Sequence, residues 1–221
     1  MDWTALVLSL KLAAATLVVL LPIGLALARW LAWGRFAGKA WIEAAVVLPL
    51  VLPPTVLGYY LLVGVGGGSP IGRWLHETLG VQLTFSFSGL LLASIVFNLP
   101  FMVQPVQRAF EAIPRELTEA AAVSGLGFWQ TLARVELPLA WPGILSAMVL
   151  TFVHTMGEFG VVLMVGGSIP GQTQTIAIAI YDRVQAFDFA SADRMALLLL
   201  VLSLTAVAAS FLASARLVRR R

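Results

Sequence analysis

The sequence predicts an all-α integral membrane protein with five transmembrane helices. Hydrophobic residues make up 60% of its 221 positions and charged residues only 11%, whereas a soluble domain carries about 25% charged residues. A helix needs about 20 predominantly apolar residues to cross a membrane, and five segments of the chain meet this requirement. We therefore expect one membrane domain over residues 1–221.

The expected spans cover approximately residues 6–28, 43–63, 86–108, 139–165 and 195–217. Lys11 interrupts the first span near one end, where its long side chain can carry the charge to the interface. The second span contains Pro49, Pro53 and Pro54. Because proline removes a helical hydrogen bond and clashes with the preceding turn, this span should be bent or broken midway.

The remaining spans also carry landmarks. The third has Asn98-Leu99-Pro100 near its middle, and the fourth starts after Pro138 with Pro142 in its first turn, where a missing N–H costs little. The fifth is uninterrupted, with a Leu-rich run over 197–204, and it ends in a basic tail.

The basic residues predict the orientation of the spans. With the N-terminus outside and the C-terminus in the cytoplasm, ten basic residues fall on the inner side and three on the outer side. The inner set is Arg29, Arg35, Lys39, Arg108, Arg115, Arg134, Arg216, Arg219, Arg220 and Arg221, and the outer set is Arg73, Arg183 and Arg194. Cytoplasmic segments carry such an excess of Lys and Arg.

Several function classes are disfavoured. The chain has no cysteine, which excludes disulfides and thiolate metal sites, and its two histidines are isolated. The scattered basic residues set topology better than they would bind nucleic acid. The glycine-rich stretch 64–70 reads as a flexible turn, because it lacks the lysine and following helix of a phosphate-binding loop. We expect no ATP site, cofactor or metal in this chain.

A long inner loop, residues 109–137, contains a spaced motif. It reads Glu119-Ala120-Ala121, three residues, Gly125, nine residues, then Val135-Glu136-Leu137-Pro138. The motif resembles the EAA loop of ABC-importer permeases. The resemblance implies a type I importer transmembrane domain whose helix-turn-helix docks on a separate ATPase through the fixed positions Glu119, Ala120, Ala121, Gly125, Leu137 and Pro138. The alternative is a helix that packs only on its own bundle.

Local propensities agree with a helix-turn-helix in this loop. Residues 115–122 follow Pro114 and are good helix formers, with Leu117, Ala120 and Ala121 offering a small packing face. Gly125 and Gly127 then break the helix, and residues 128–135 can form a second piece.

Polar residues in the fourth span are candidates for a pathway or gate. Thr151, His154, Thr155 and Glu158 recur at the spacing of one helical face, and an ionisable residue inside a membrane usually faces a bundle interior or an aqueous path. Glu158 is either a gate element between Gly157 and Gly160 or a structural group paired with His154 or a basic residue. Direct coordination of an anion by Glu158 is disfavoured, because like charges repel.

The segment Gly157-Glu158-Phe159-Gly160, the outer run Ile169–Ile176 and the early run Leu48–Val56, which includes Thr55, resemble the sulfate and molybdate permeases. Five spans fit the molybdate branch better, with sulfate, thiosulfate and tungstate left open. The resemblance implies a bacterial inner-membrane homodimer with two cytoplasmic ATPase subunits and a periplasmic oxyanion-binding protein.

Two other classes are weighed against this one. A stand-alone channel or secondary transporter predicts inverted repeats or paired broken helices, and an intramembrane enzyme needs a convergent catalytic cluster; the sequence suggests neither. In the outer loop, residues 166–194, the stretch 175–185 carries an apolar stripe of Ile176, Ala179, Ile180 and Val184. We expect a helix there with this stripe on the membrane surface, as part of the dock for the binding protein. The alternative is a helix that only plugs the membrane surface.

Overall fold

The computed structural model describes residues 1–219, with side chains for residues 1–213. Eleven α-helices and no strand occur in this part of the chain, and a π-helical turn at Leu132–Glu136 joins α7 to α8. The helices are α1 (Trp3–Trp33), α2 (Lys39–Val51), α3 (Pro54–Val65), α4 (Pro70–Leu79), α5 (Phe87–Glu111), α6 (Arg115–Val123), α7 (Phe128–Thr131), α8 (Leu137–Gly157), α9 (Gly160–Gly166), α10 (Ile176–Gln185) and α11 (Phe189–Arg219).

Within the described residues, four continuous helical segments are long and apolar enough to cross a membrane: Trp3–Trp33, Phe87–Glu111, Phe128–Gly157 and Phe189–Ala213. Three of them, Trp3–Trp33, Phe128–Gly157 and Phe189–Ala213, begin before the boundaries expected from the sequence. Asp2 accepts a hydrogen bond from the backbone N–H of Ala5 at 2.9 Å and starts α1 three residues before the expected boundary. The basic tail at 220–221 lies outside the described residues.

The second expected span is broken rather than merely kinked. Its halves, α2 and α3, meet at a bend of 111° at residues 52–53, where Pro53 and Pro54 prevent the helical hydrogen bonds from continuing. At the start of α2, Glu43 accepts a hydrogen bond from Gln107 near the C-terminal end of α5. At the end of α3, Gly66 approaches Thr84, just before α5 begins. The first half therefore begins near the C-terminal end of α5, and the second half ends near the residues that precede α5.

The central helix α5 packs against α1 and α8, and apolar clusters fill both ends of this bundle. We call the end that carries residues 109–137 the motif end. Its core includes Leu31, Phe110, Ile113 and Ala140. The core at the opposite end joins the start of α1 to α10 and α11 through Ala5, Met156, Ile176 and Met195.

The fourth span is interrupted between its two glycines, since α8 ends at Gly157 and α9 begins at Gly160. Two local expectations need correction. The stretch after α3 is not wholly a flexible turn, because Ser69 accepts a hydrogen bond from Gly72 N–H at 2.8 Å and starts α4. Helix α10 is present, but Ile176 and Ala179 are buried in the bundle core rather than facing a membrane surface.

Candidate functional site

The motif residues form a helical hairpin, α6 and α7, outside the main bundle. Pro114 adopts an extended conformation and precedes α6, which ends at Val123 with Ser124 as its C-cap. Gly125 follows with φ of +80°, in the left-handed region that glycine adopts at little cost. Gly125 N–H donates to Ala122 O and Leu126 N–H donates to Ala121 O, each at 3.0 Å. These two bonds form a Schellman motif, so the turn needs a residue that tolerates positive φ.

The hairpin presents apolar side chains to the surroundings. Val123 is 90% exposed and Trp129 is 76% exposed, although large apolar groups are usually withdrawn from water. Leu117 and Phe128 are also exposed. Of the face expected from the sequence, only Ala121 is buried against its own chain, whereas Glu119 and Ala120 are exposed. The exposed surface is therefore wider and more aromatic than the alanine pattern suggested.

The second helical piece expected over 128–135 is present, but it is not α-helical throughout. Only Phe128–Thr131 is α-helical, and its start is capped by Gln130, whose side-chain oxygen accepts a hydrogen bond from Gly127 N–H at 3.1 Å. The π-helical turn follows and runs directly into α8, where Leu137 and Pro138 occupy the first two positions. Leu137 packs against the core of the motif end.

Glu158 lies at the break between α8 and α9 and caps the second of these helices. Its carboxylate accepts a hydrogen bond from Val161 N–H at 3.0 Å, and its side chain is almost fully buried. A carboxylate in this position satisfies N–H groups that have no partner within the helix. The capping role replaces the ion pair with His154 that the sequence left open.

His154 pairs instead with Asn98 of α5, with 3.0 Å between its Nδ1 and Asn98 Oδ1. Because the Asn98 amide nitrogen donates to Ser94 O at 2.8 Å, its oxygen is the acceptor and His154 Nδ1–H is the donor. The imidazole stacks between Phe97 and Phe101, at centroid distances of 5.0 and 4.0 Å. The sequence signal for this pair was an amide in the middle of an apolar span.

The four polar residues expected on one face of the fourth span separate into two environments. Thr151 and Thr155 are fully buried among the helices, and Thr155 Oγ1 donates to Thr151 O at 2.7 Å. His154, Gly157 and Glu158 border a groove of about 440 Å³ between α8, α10 and α11. Glu158 is thus held at the edge of the groove by its bond to α9.

The two helix breaks lie against each other. A Cβ placed on Gly160, at the start of α9, would lie 2.8 Å from the Cβ of Pro54, at the start of α3. Thr55 follows Pro54 and is exposed. The start of α3, which includes Thr55, therefore adjoins the start of α9 through Pro54 and Gly160. Gly157 borders the neighbouring groove, with no heavy atom within 4 Å of its Cβ position.

Known proteins resemble this chain over most of its length. The family described as "Binding-protein-dependent transport system inner membrane component" matches residues 20–221. The molybdenum transport system permease protein ModB of Azotobacter vinelandii is 50% identical over 88% of this chain and 86% of its own length. The ModB protein of Escherichia coli K12 is 39% identical over 83% of this chain and 80% of its own length.

More distant similarities follow. A probable sulfate transport system permease protein of Nephroselmis olivacea is 34% identical over 89% of this chain and 70% of its own length. A bacterial ABC transporter involved in importing the acidic polysaccharide alginate superimposes with a TM-score of 0.77 at 19% identity, covering 96% of this chain and 78% of its own. At that identity the superposition establishes a shared fold.

Proposed function

We propose that this chain, which belongs to the family of binding-protein-dependent transport system inner membrane components, forms the translocation pathway of an ATP-driven molybdate importer. The observation that carries the proposal is its 50% identity, over 88% of its length, to a molybdenum transport permease. A sulfate permease is more distant, at 34% identity. Sulfate, thiosulfate and tungstate are the alternative cargoes, and all share the tetrahedral oxyanion chemistry.

The exposed hairpin supports docking on a separate ATPase. Val123, Phe128 and Trp129 offer apolar surface that this chain leaves uncovered, and Glu119 and Ala120 lie exposed on the neighbouring helix. The ATPase subunit covers this surface, and its closure on ATP moves the hairpin. Glu119→Lys weakens that docking, which native mass spectrometry of the purified complex measures as loss of the ATPase. Retention of the ATPase in the variant would argue against this surface.

The assembly has two copies of the chain with two ATPases and one periplasmic binding protein in the bacterial inner membrane. Four or five spans are too few to enclose a gated pathway, which is the reason for two copies. Native mass spectrometry distinguishes two permeases with two ATPases from one permease with two. Identifying the co-purifying binding protein, and comparing its affinities for molybdate, tungstate and sulfate, tests the cargo.

The N-terminus lies outside and the hairpin inside. The chain has no native cysteine, so single cysteines report location by labelling with a membrane-impermeant maleimide in intact cells. A cysteine at Asp2 should be labelled from outside, and one at Ser124 only after the membrane is opened. The reverse pattern would invert the topology.

The two adjoining helix breaks mark the gate. Non-helical backbone at membrane depth is stable only where protein or an aqueous cavity satisfies its polar groups, and both breaks, at 52–53 and 158–159, lie between apolar helices. Cysteines at Thr55 and Gly157 should change labelling between the nucleotide-free and ATP-trapped states. A cysteine at Leu204, which is 65% exposed on α11, is the control and should be labelled equally in both states. Leu199, in the same Leu-rich run, is not used as the control because it borders the same groove as Gly157.

A further inference from the structure

The motif end contains a buried ion pair that links two distant parts of the chain. Arg29, in the last turns of α1, donates from Nε to Glu136 Oε2 at 2.7 Å and from Nη2 to Oε1 at 3.0 Å. The side chain of Glu136 is 2% exposed and that of Arg29 is 24% exposed. A two-pronged contact of this kind fixes the relative orientation of both groups, because the guanidinium is planar.

Two aromatic rings flank the same guanidinium. The Arg29 Cζ lies 4.8 Å from the ring centroid of Trp33, one turn further along α1, and 4.4 Å from that of Phe128, the first residue of α7. Both distances are within the range of cation–π attraction. A single side chain of α1 therefore contacts the hairpin at Phe128 and the start of the fourth span at Glu136.

A π-helical turn, Leu132–Glu136, lies between Phe128 and Glu136, the two residues that Arg29 contacts outside α1. In this turn Leu137 N–H donates to Leu132 O, five residues back, so the turn holds one residue more than an α-helical turn would. An added residue rotates the following helix face by about 100°, the angle per residue at 3.6 residues per turn. Backbone hydrogen bonds continue through the turn, so residues 128–157 form one uninterrupted helical rod.

We propose that Arg29 is a positioning residue for energy coupling, which ties α1 to the junction of hairpin and fourth span so that all three move together. This inference rests on the proposed function, because it presumes an ATPase that moves the hairpin. Displacement of α7 then reaches α8 through the continuous rod and α1 through the guanidinium. Without the contacts of Arg29 to Glu136 and Phe128, α7 and α8 move but α1 does not follow them. Fewer anions are then transported for each ATP hydrolysed.

The test measures molybdate uptake and ATP hydrolysis in the same proteoliposomes, containing the permease, its co-purifying ATPase and the loaded binding protein. Arg29→Lys keeps the positive charge but loses the planar guanidinium, which donates two hydrogen bonds to Glu136 and contacts the rings of Trp33 and Phe128. We expect the number of anions transported per ATP to fall by about tenfold, within the range reported for residues that modulate coupling between sites. Glu136→Gln, which keeps the side-chain volume, should lower the ratio in the same direction.

Arg108→Gln is the matched control. Arg108 also lies near the motif end and pairs with Glu111 at 2.7 Å, but its side chain is 81% exposed and it contacts no second element through that pair. Its loss should leave the transport ratio within about twofold of wild type, as expected for an exposed ion pair.

The outcomes separate the inference from the proposed function. If Arg29→Lys and Glu136→Gln reduce only the amount or thermal stability of the complex, with an unchanged transport ratio, the pair is structural and the inference is overturned. If the complex containing Arg29→Lys does not assemble, the number of anions transported per ATP by Glu136→Gln decides between a coupling role and a structural role. If wild type and Arg108→Gln both lack ATP-driven uptake, the proposed function fails and the inference falls with it.

Discussion

Replacing Gly125 tests the turn of the exposed hairpin most sharply. Its φ of +80° lies where a Cβ is strained, although a Cβ there would meet no heavy atom within 4 Å. The cost therefore comes from the backbone alone. A non-glycine residue in the left-handed region loses about 1–2 kcal/mol, which is a factor of about 5–30 in the population of the correct turn. A β-branched side chain loses more, because its rotamers are also restricted.

We expect a graded series in ATP-coupled uptake: glycine, then Gly125→Asn, then Gly125→Ala, then Gly125→Val, with asparagine mildest because it tolerates left-handed backbone. The assay is molybdate uptake and ATP hydrolysis by the reconstituted complex. Gly127→Ala is the matched control, since Gly127 has an ordinary φ of −72° and open space at its Cβ position. Wild-type coupling in Gly125→Val, or equal damage from Gly127→Ala, would refute the reasoning.

Three further predictions concern the helix break and the start of α11. Glu158→Ala removes the acceptor of the Val161 N–H hydrogen bond and should lower the free energy of unfolding by about 0.5–2 kcal/mol. Glu158→Gln can still accept that bond and should lower it less; equal losses would contradict the capping role. Gly160→Val should separate α9 from Pro54, since even a Cβ would lie 2.8 Å from the proline ring, and reduce uptake more than Gly157→Ala does; the opposite order would place the junction elsewhere. Hydrogen bonds from the side chain and backbone of Ser191 lower the pKa of Asp188, so its charge stabilises the folded state above the usual pKa of about 3.8 and this contribution is lost as pH falls through the lower folded value; the melting-temperature advantage of wild type over Asp188→Asn should therefore be smaller at pH 3 than at pH 7, and a pH-independent difference would exclude the charge as its cause.

Composition and local signals predicted the helical membrane fold, since apolar length and proline position act on each segment by itself. The break at Pro53 and Pro54 follows from backbone chemistry that any such sequence carries. The turn at Gly125 was predictable for the same reason.

Long-range partners could not be predicted in the same way. Arg29 and Glu136 are 107 positions apart, and nothing near either residue indicates the other. The π-helical turn that ends at Glu136 has no sequence pattern comparable to a proline. The split of Thr151 and Thr155 from His154 also depends on tertiary packing, because helical spacing identifies a face but not the helix against which it packs.

ATP-driven uptake of labelled molybdate tests the central claim most directly. Proteoliposomes containing this chain and its co-purifying ATPase, supplied with the loaded binding protein on one side and ATP on the other, should accumulate molybdate. Omitting ATP, the ATPase or the binding protein should abolish uptake, and an excess of sulfate should compete only weakly. Equal uptake without ATP or without the ATPase would contradict an ATP-driven importer, and accumulation of sulfate in place of molybdate would contradict the cargo.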